Sequence, residues 1–179
     1  MFLGQSECTS GFMSRDRVRD VSRVMGGRLR TREEQQRIIP LINFTCSGSI
    51  NKWTVAAWWN GGGDNFPQLE IWSIQSARSN VYDRVGSTFT GGAVENDSQI
   101  YEFVPSPPLW FQPGDILGIF NPDNPKLGIY YVDGIGPPNY HTTDEGTLPS
   151  TASFTVNGNT NSQNDMPLIT VDTSELLYS

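Results

Sequence analysis

Short apolar segments, each bounded by turn-forming residues, are the feature that most restricts the fold of this chain. The clearest is PPLWFQPGDILGIF, residues 107–120, where a Pro-Gly-Asp turn separates an aromatic run from the unbroken apolar run Ile116–Phe120. A continuous apolar run of this length fits a strand that is covered on both faces, as in a sandwich. Periodicity alone leaves a buried helix segment open, but Gly118 and the flanking prolines favour the strand.

Eight further segments predict strands elsewhere in the chain. The loops between them, such as NGGGDNFP and NGNTNSQND, are rich in residues that adopt turn conformations. Short strands at this spacing indicate an all-β sandwich or barrel, and the chain lacks the repeats of roughly 20 to 50 residues that indicate propellers or solenoids. The nine predicted strands are Ile38–Cys46, Lys52–Trp59, Gln68–Gln75, Val81–Ser87, Gln99–Val104, Asp115–Phe120, Leu127–Val132, Ser153–Val156 and Leu168–Asp172.

The charges divide the chain into a basic N-terminal arm, residues 1–37, and an acidic body, residues 38–179, which we expect to form one domain. The arm holds eight of the twelve Lys and Arg residues and five acids, so the body is left with four bases and fourteen acids. An acidic body repels phosphates and anionic lipids, so we expect no nucleic-acid partner. Acids interleave the arm's arginines, a pattern typical of a solvated segment. Both a short helix and an extended arm are compatible with the spacing of its apolar residues.

Two cysteines and two glycosylation sequons favour an extracellular or cell-surface location. Cys8 and Cys46 allow only one disulfide, which would tie the arm to the body, and Asn43 and Asn96 each begin an Asn-X-Ser/Thr sequon. Two reduced thiols in a cytosolic protein are the alternative. The sequence contains neither a signal-peptide hydrophobic region nor an apolar run of about 20 residues that could span a bilayer. We therefore expect no membrane insertion of this segment and, if it is extracellular, a longer parent chain.

Seven motifs occur in order between about residues 8 and 173: CTSG, RIIPLINFTCSGSINKWTVAA, FPQLEIWS, YDRVGST, IYEFVPSPPLWFQPGDILGIFNP, GIYYVDGIGPPNY and MPLITVDT. Together they resemble a domain of sponge and other invertebrate adhesion and receptor-like proteins, where it accompanies epidermal-growth-factor-like, immunoglobulin-like or fibronectin-like units. The Pro-Gly-Asp turn also resembles a turn of complement-type and tumour-necrosis-factor-like jelly rolls. These resemblances imply an antiparallel, jelly-roll-like extracellular sandwich, and they imply no catalytic residues.

Catalytic motifs are missing from the sequence. His141 is the single histidine, Asp144 and Glu145 follow it, and no G-x-S-x-G elbow supplies a nucleophilic serine. The loop-like sequence around His141 predicts an exposed residue. Asp115 follows the Pro-Gly turn and is expected to accept backbone N–H bonds within it. We expect no enzyme, although paired carboxylates for glycoside hydrolysis are a three-dimensional property that sequence does not test.

Calcium is the one inorganic ligand that the composition suggests. Hard cations bind several oxygen donors, and residues 61–65, 121–124 and 157–165 are dense in Asp and Asn, although the last has only the carboxylate of Asp165. Asp and Asn are also ordinary turn residues, so no cofactor is required.

Two tryptophans are the candidate binding residues. Alternation places Trp53, Val55, Ala57 and Trp59 on one face of a strand and Trp58 on the other, and it places Trp72 opposite Leu69 and Ile71. We expect Trp58 and Trp72 to point outward together from a hairpin closed by the glycine-rich loop. The alternatives are that both faces are covered or that a bulge shifts the register.

These features predict a non-catalytic extracellular adhesion or recognition module within a larger matrix or receptor-like protein. Its partner would be a protein or glycan of the extracellular matrix, because an exposed tryptophan pair can anchor a protein or stack on a sugar. The alternative is a calcium-assisted, lectin-like glycan-binding domain. A hydrolase would instead need two carboxylates that converge in a cleft.

Overall fold

A computed structural model describes residues 8–21, 29–30, 35–141, 153–156 and 161–176. These residues form short strands and one helix, α1 Arg15–Arg19. The strands are β1 Thr9–Ser10, β2 Leu29–Arg30, β3 Gln35–Phe44, β4 Gly48–Trp59, β5 Gln68–Ile74, β6 Val81–Phe89, β7 Ile100–Phe103, β8 Leu109–Phe111, β9 Ile116–Asn121, β10 Leu127–Ile129, β11 Tyr131–Val132, β12 Asn139–His141, β13 Ser153–Thr155, β14 Asn161–Gln163, β15 Met166–Pro167 and β16 Ile169–Glu175.

Two antiparallel sheets account for most of these strands. The larger sheet has the order β13-β6-β5-β9-β3-β12-β14, and β1 also pairs with β3. The smaller sheet is built on β4: Ser49 pairs with Trp110 of β8 on one side and with Ser174 of β16 on the other. Strand β7 continues the β8 side and β10 also pairs with β4, while β15, β11 and β2 form a small third sheet.

The inner faces of the larger and the smaller sheet pack against each other and enclose the main core. The rings of Phe44 on β3 and Phe111 on β8 stack with their centroids 4.2 Å apart. Trp53 is fully buried, and its Nε1 donates a hydrogen bond of 3.0 Å to Thr88 Oγ1 on β6, in the opposite sheet. The all-β antiparallel sandwich is therefore confirmed, whereas the jelly-roll topology stays a prediction.

All nine predicted strands overlap observed strands. The predicted segment Leu127–Val132 divides into β10 and β11, and β3 begins at Gln35, three residues before the predicted start of the body. The predicted hairpin between β4 and β5 is wrong, because β5 pairs with β6 and β9 in the other sheet. The glycine-rich loop that follows Trp59 thus connects two sheets instead of two neighbouring strands.

Residues 8–21 of the arm lie against the sandwich. A disulfide joins Cys8 to Cys46, as predicted, and β1 pairs with the end of β3. Helix α1 then packs on the outer side of β4 and β16. Its Val18 is fully buried in a second apolar cluster with Ala56 and Leu168. The arm is thus extended at β1 and helical at α1, and burial as well as a covalent bond holds it in place.

Ion pairs connect the basic arm to the acidic body. Arg15 pairs with Asp172, and Arg19 Nη2 donates to Glu102 Oε1 at 2.8 Å. Lys52 Nζ lies between the two acids, 3.2 Å from Glu102 Oε1 and 3.7 Å from Asp172 Oδ2. The sequence pattern predicts a solvated segment and gives no sign of the partners of these two arginines. Those partners are acids of the body and not the arm's own acids.

No helix in the described ranges is long and apolar enough to cross a membrane.

Replacing both cysteines by serine should lower the free energy of unfolding by about 3 to 4 kcal/mol, because the disulfide constrains a long loop of the unfolded chain. Urea denaturation of the Cys8→Ser/Cys46→Ser variant measures the loss. The unmodified protein kept in reductant is the control and should show the same loss. An unchanged midpoint would mean that the arm's noncovalent contacts alone set its contribution.

Candidate recognition site

Trp58 is the exposed tryptophan that alternation on β4 predicts. Its side chain is 42% exposed, whereas Trp53, Val55 and Ala57 on the opposite face are fully buried. The register of β4 and β10 places Trp58 opposite Gly128, which has no side chain to cover the indole. The strand thus presents one large aromatic surface to solvent near its C-terminal end.

Two of the predicted Asp- and Asn-rich loops meet next to this end of β4. The backbone N–H of Asn60 donates to the Lys126 carbonyl at 2.8 Å, and Asn65 Nδ2 donates to the Asp123 carbonyl at 2.9 Å. Asn65 also forms a parallel bridge with Pro125. Backbone bonds thus fasten residues 60–65 to residues 123–126, and the loop surface beside Trp58 is preformed.

Lys126 adds a charge to this end of the sandwich. Its ammonium nitrogen lies 5.7 Å from the ring centroid of Trp59, a cation–π contact, and Trp59 packs against the main core. We name Trp58, residues 60–65 and residues 123–126 the loop-end surface.

Trp72 is not exposed, so the expected outward tryptophan pair is wrong. Alternation places it correctly on the outer face of the larger sheet, but that face is covered and Trp72 is fully buried with Ile38, Ile116 and Phe154. Its indole lies over β9 at Gly118, where a Cβ atom would come within 2.2 Å of Trp72 Cδ1. Trp58 and Trp72 also belong to different sheets.

A buried carboxylate accompanies Trp72. Glu70 Oε2 accepts hydrogen bonds from Trp72 Nε1 at 2.8 Å and from Gln36 Nε2 at 2.6 Å, while Arg84 lies 3.4 Å from Oε1. Burial raises the pKa of Glu70, against the opposing effect of these three donors. Sequence alternation puts Glu70 on the outer face but gives no sign that this face is closed.

The single histidine and Arg37 are interior residues, contrary to the sequence interpretation. His141 lies on β12, opposite Arg37 of β3, and both are buried. The Arg37 guanidinium lies 5.0 Å from the ring centroid of Tyr131 and 3.5 Å from Asp165 Oδ2, and it donates to Asn139. Arg37 therefore lies in the interior and is not part of a solvated arm. Asp144 and Glu145 lie outside the described residues.

Asp115 has the structural role that its turn predicts. Its Oδ2 accepts the backbone N–H of Gln112 at 2.8 Å, and Gly114 within the turn adopts a positive φ of 91°. Burial raises the pKa of Asp115, against this backbone hydrogen bond. The carboxylate fixes the entrance of β9.

Among the described residues, one group of three possible metal ligands lies close enough together to hold an ion: Cys8, Cys46 and Glu175. Its two sulfur atoms are joined in the disulfide, so they do not serve as thiolate ligands there. Asp64 and Asp123 of the loop-end surface form no such group, and residues 157–160 of the third candidate loop lie outside the described ranges. Calcium binding stays a prediction.

The two sequons lie in different settings. Asn43 is half-buried on β3, paired with Ser10 of β1 and with Ile116 of β9. Asn96 lies in the loop before β7, where its Nδ2 donates to the Ile100 carbonyl at 3.1 Å and its Oδ1 accepts from Ser98 Oγ at 2.7 Å. Glycosylation of either asparagine stays a prediction.

A cleft of about 970 Å³ lies between the arm and β16. One wall is the arm from Cys8 to Arg15, and the other is the strand from Thr170 to Glu175, with Asn51 of β4 between them. The sequence does not predict this cleft, because it depends on the path of the arm.

Comparison of the chain with family models, with curated proteins and with solved structures finds no match.

Truncating Trp72 should destabilise the protein strongly, whereas truncating Trp58 should hardly change its stability. Trp72→Ala removes a fully buried indole and should lower the free energy of unfolding by about 3 to 5 kcal/mol. Trp58→Ala removes a half-exposed ring and should change it by no more than about 0.5 kcal/mol. Urea denaturation measures both values. Equal losses would show that Trp58 is part of the core.

Glu70→Gln should change the pH dependence of stability in a defined direction. Because burial raises the pKa of Glu70 above its ordinary value of 4.5, the folded state releases this proton at a higher pH than the unfolded state does. The contribution of the protonated carboxyl to the free energy of unfolding is fully present below pH 4.5. It is lost as pH rises through the raised pKa. The unfolding free energy of the unmodified protein, minus that of Glu70→Gln, should therefore fall as pH rises above 4.5.

The control for this measurement is Glu102→Gln. Hydrogen bonding from Lys52 is the main cause that lowers the pKa of Glu102, so its stability contribution is lost as pH falls below 4.5. The same difference, unmodified minus variant, should therefore rise with pH across the acid range. Matching slopes for the two variants would contradict the assignment for Glu70.

Proposed function

We propose that this chain is a non-catalytic extracellular adhesion or recognition module within a larger matrix or receptor-like protein. The Cys8–Cys46 disulfide supports an oxidising compartment, because such bonds are rare in the cytosol. The sequons at Asn43 and Asn96 and the resemblance of the seven motifs to an invertebrate extracellular domain support the same location.

The observation that carries this proposal is the half-exposed Trp58 next to two interlocked loops. Tryptophan is enriched among residues that dominate binding energy, because it buries a large rigid surface at low entropic cost. The bonds between residues 60–65 and residues 123–126 hold the surrounding loops in place, so little conformational entropy is lost when a partner binds. The partner that we propose for this surface is a protein of the extracellular matrix.

The position of the single histidine supports a binding role over hydrolysis by a serine or cysteine nucleophile. Those mechanisms need a histidine at a substrate-accessible site, and His141 is 3% exposed on β12. The buried carboxylate Glu70 has a structural role, accepting the Trp72 and Gln36 hydrogen bonds beneath a closed apolar cluster.

Calcium-assisted glycan binding is the second candidate. The observation that favours it is the meeting of the two Asp- and Asn-rich loops beside Trp58. Loop carbonyls, amides and the carboxylates of Asp64 and Asp123 are oxygen ligands of the kind that calcium prefers. The Trp58 ring could stack on a sugar held next to such an ion.

Trp58→Ala should abolish binding to extracellular-matrix material without loss of folding. The test immobilises the disulfide-bonded protein, exposes it to matrix extract and identifies the retained molecules by mass spectrometry. Trp110→Ala is the matched control, because Trp110 is 52% exposed and pairs near the opposite end of β4. Equal retention by both variants would place the binding surface elsewhere.

A glycan array with calcium and with chelator separates the two candidates. Sugar binding that needs calcium and is lost in Trp58→Ala supports the lectin-like function. Retention of matrix proteins that chelator leaves unchanged supports protein recognition.

A further inference from the structure

The cleft beside β16 lies along an open sheet edge. Strand β16 pairs with β4, and no other strand in the described part of the chain pairs with it. Its sequence, ITVDTSE, is rich in β-branched residues, which favour extended structure. An edge of seven residues leaves a row of backbone N–H and C=O groups that can pair with another extended chain.

The arm, which forms the wall of the cleft opposite β16, is held at both ends. Beyond the disulfide at Cys8, the ring centroid of Phe12 lies 5.6 Å from that of Phe44. At the other end Arg15 pairs with Asp172 of β16 itself. The arm therefore stands beside the strand as a fixed wall, which reduces the entropic cost of accepting a ligand.

The lining of the cleft matches the chemistry of a peptide. Thr9, Ser14, Asn51 and Ser174 offer hydroxyl and amide groups, while Phe12 and Met13 offer apolar contacts. Asn51 is positioned by a β-bulge between β4 and β16, and its Nδ2 donates to Ser174 Oγ at 2.8 Å. A volume of about 970 Å³ is at the upper end of the roughly 300–1,000 Å³ that ligand sites occupy.

We propose that this cleft binds an extended, basic peptide segment of another protein, which adds to the smaller sheet as an antiparallel or parallel strand alongside β16. Backbone hydrogen bonds to the open edge would supply affinity, and alternate side chains would contact the arm or the outer face. Two acids, Asp172 and Glu175, and one base, Arg15, line the cleft, and the body as a whole has four bases and fourteen acids, so lysine or arginine is the complementary charge. A second copy fits less well, because each chain carries a net charge of −7.

This site is separate from the loop-end surface. Residues Thr170–Glu175 pair with β4 between Gly48 and Thr54, whereas Trp58 lies four residues beyond that segment. The peptide site therefore goes beyond the proposed function, and each site has its own test.

Fluorescence anisotropy with a defined probe tests the strand-addition site. The probe is a fluorescein-labelled heptapeptide of alternating valine and lysine, blocked at both termini, titrated with the disulfide-bonded full chain. A strand on a sheet edge uses only every second N–H. Methylation of one alternate set of amide nitrogens should therefore weaken binding by about tenfold or more, and methylation of the other set should leave it nearly unchanged. Replacing lysine by threonine should weaken binding, most strongly at low salt.

Three tryptophan substitutions locate the probe. Asn51→Trp and Ser14→Trp each add bulk to the lining of the cleft and should abolish probe binding, while Ser76→Trp, in the β5–β6 turn, should leave it intact. Trp58→Ala should also leave it intact, which keeps this result independent of the loop-end surface. Circular dichroism identifies any variant that does not fold, and the other cleft variant replaces it in that case.

The proposal is overturned if both methylation patterns act alike, or if both cleft variants bind the probe as the unmodified chain does. Glycan binding that Asn51→Trp blocks and the peptide does not displace would assign the cleft to a sugar instead. A dimer in sedimentation equilibrium that Asn51→Trp converts to monomer would assign it to a second copy. Either result replaces the basic peptide as the occupant.

Discussion

Strand β4 is the element on which the rest of the sandwich depends. Over its twelve residues it pairs with β8 and β7 on one side and with β16 and β10 on the other. Its inner face carries Trp53, Val55 and Ala57 into the main core. Trp53 also reaches the opposite sheet through its hydrogen bond to Thr88. Alternation along β4, which resumes after the bulge at Asn51, thus sets the packing of the two layers and the outward direction of Trp58.

Alternation in the sequence predicts which side of a strand a residue occupies, but not what lies above it. This is why the strands and the inner face were predictable, and why the exposure of Trp72 was not. Trp72 and Trp58 both point away from the main core, yet Trp72 lies under Phe154 at a ring separation of 6.3 Å, while Trp58 faces Gly128. Burial of Trp72 depends on β13, which is 81 residues away from it in sequence and pairs with β6. A contact of that separation leaves no local signal.

The charge asymmetry was visible in the sequence, but its physical role follows only from the path of the arm. Arg15 and Arg19 lie on one short helix, and the acids that they contact, Asp172 and Glu102, belong to two strands on opposite sides of β4. Exposed ion pairs of this kind contribute little stability individually. Here they act together with the buried Val18 and the disulfide, and their main effect is to fix where the arm crosses the sandwich. The arginine at position 37 has a different role, because β3 carries it into the interior beside Tyr131.

The position of the arm in turn determines which surfaces are left for binding. Helix α1 covers the apolar part of the outer face of the smaller sheet, at Ala56 and Leu168, and leaves Trp58 beyond one end of its contact. On the other side, the segment from Cys8 to Arg15 runs beside β16 without pairing to it as a strand, which leaves a walled cleft. An arm that paired with β16 would have closed the sheet edge and removed the cleft. Because the arm is fixed at Cys8 and Arg15 instead, the outer edge of β16 pairs with no strand in the described ranges, and we expect the neighbouring arm to limit the edge-to-edge association that a bare strand invites.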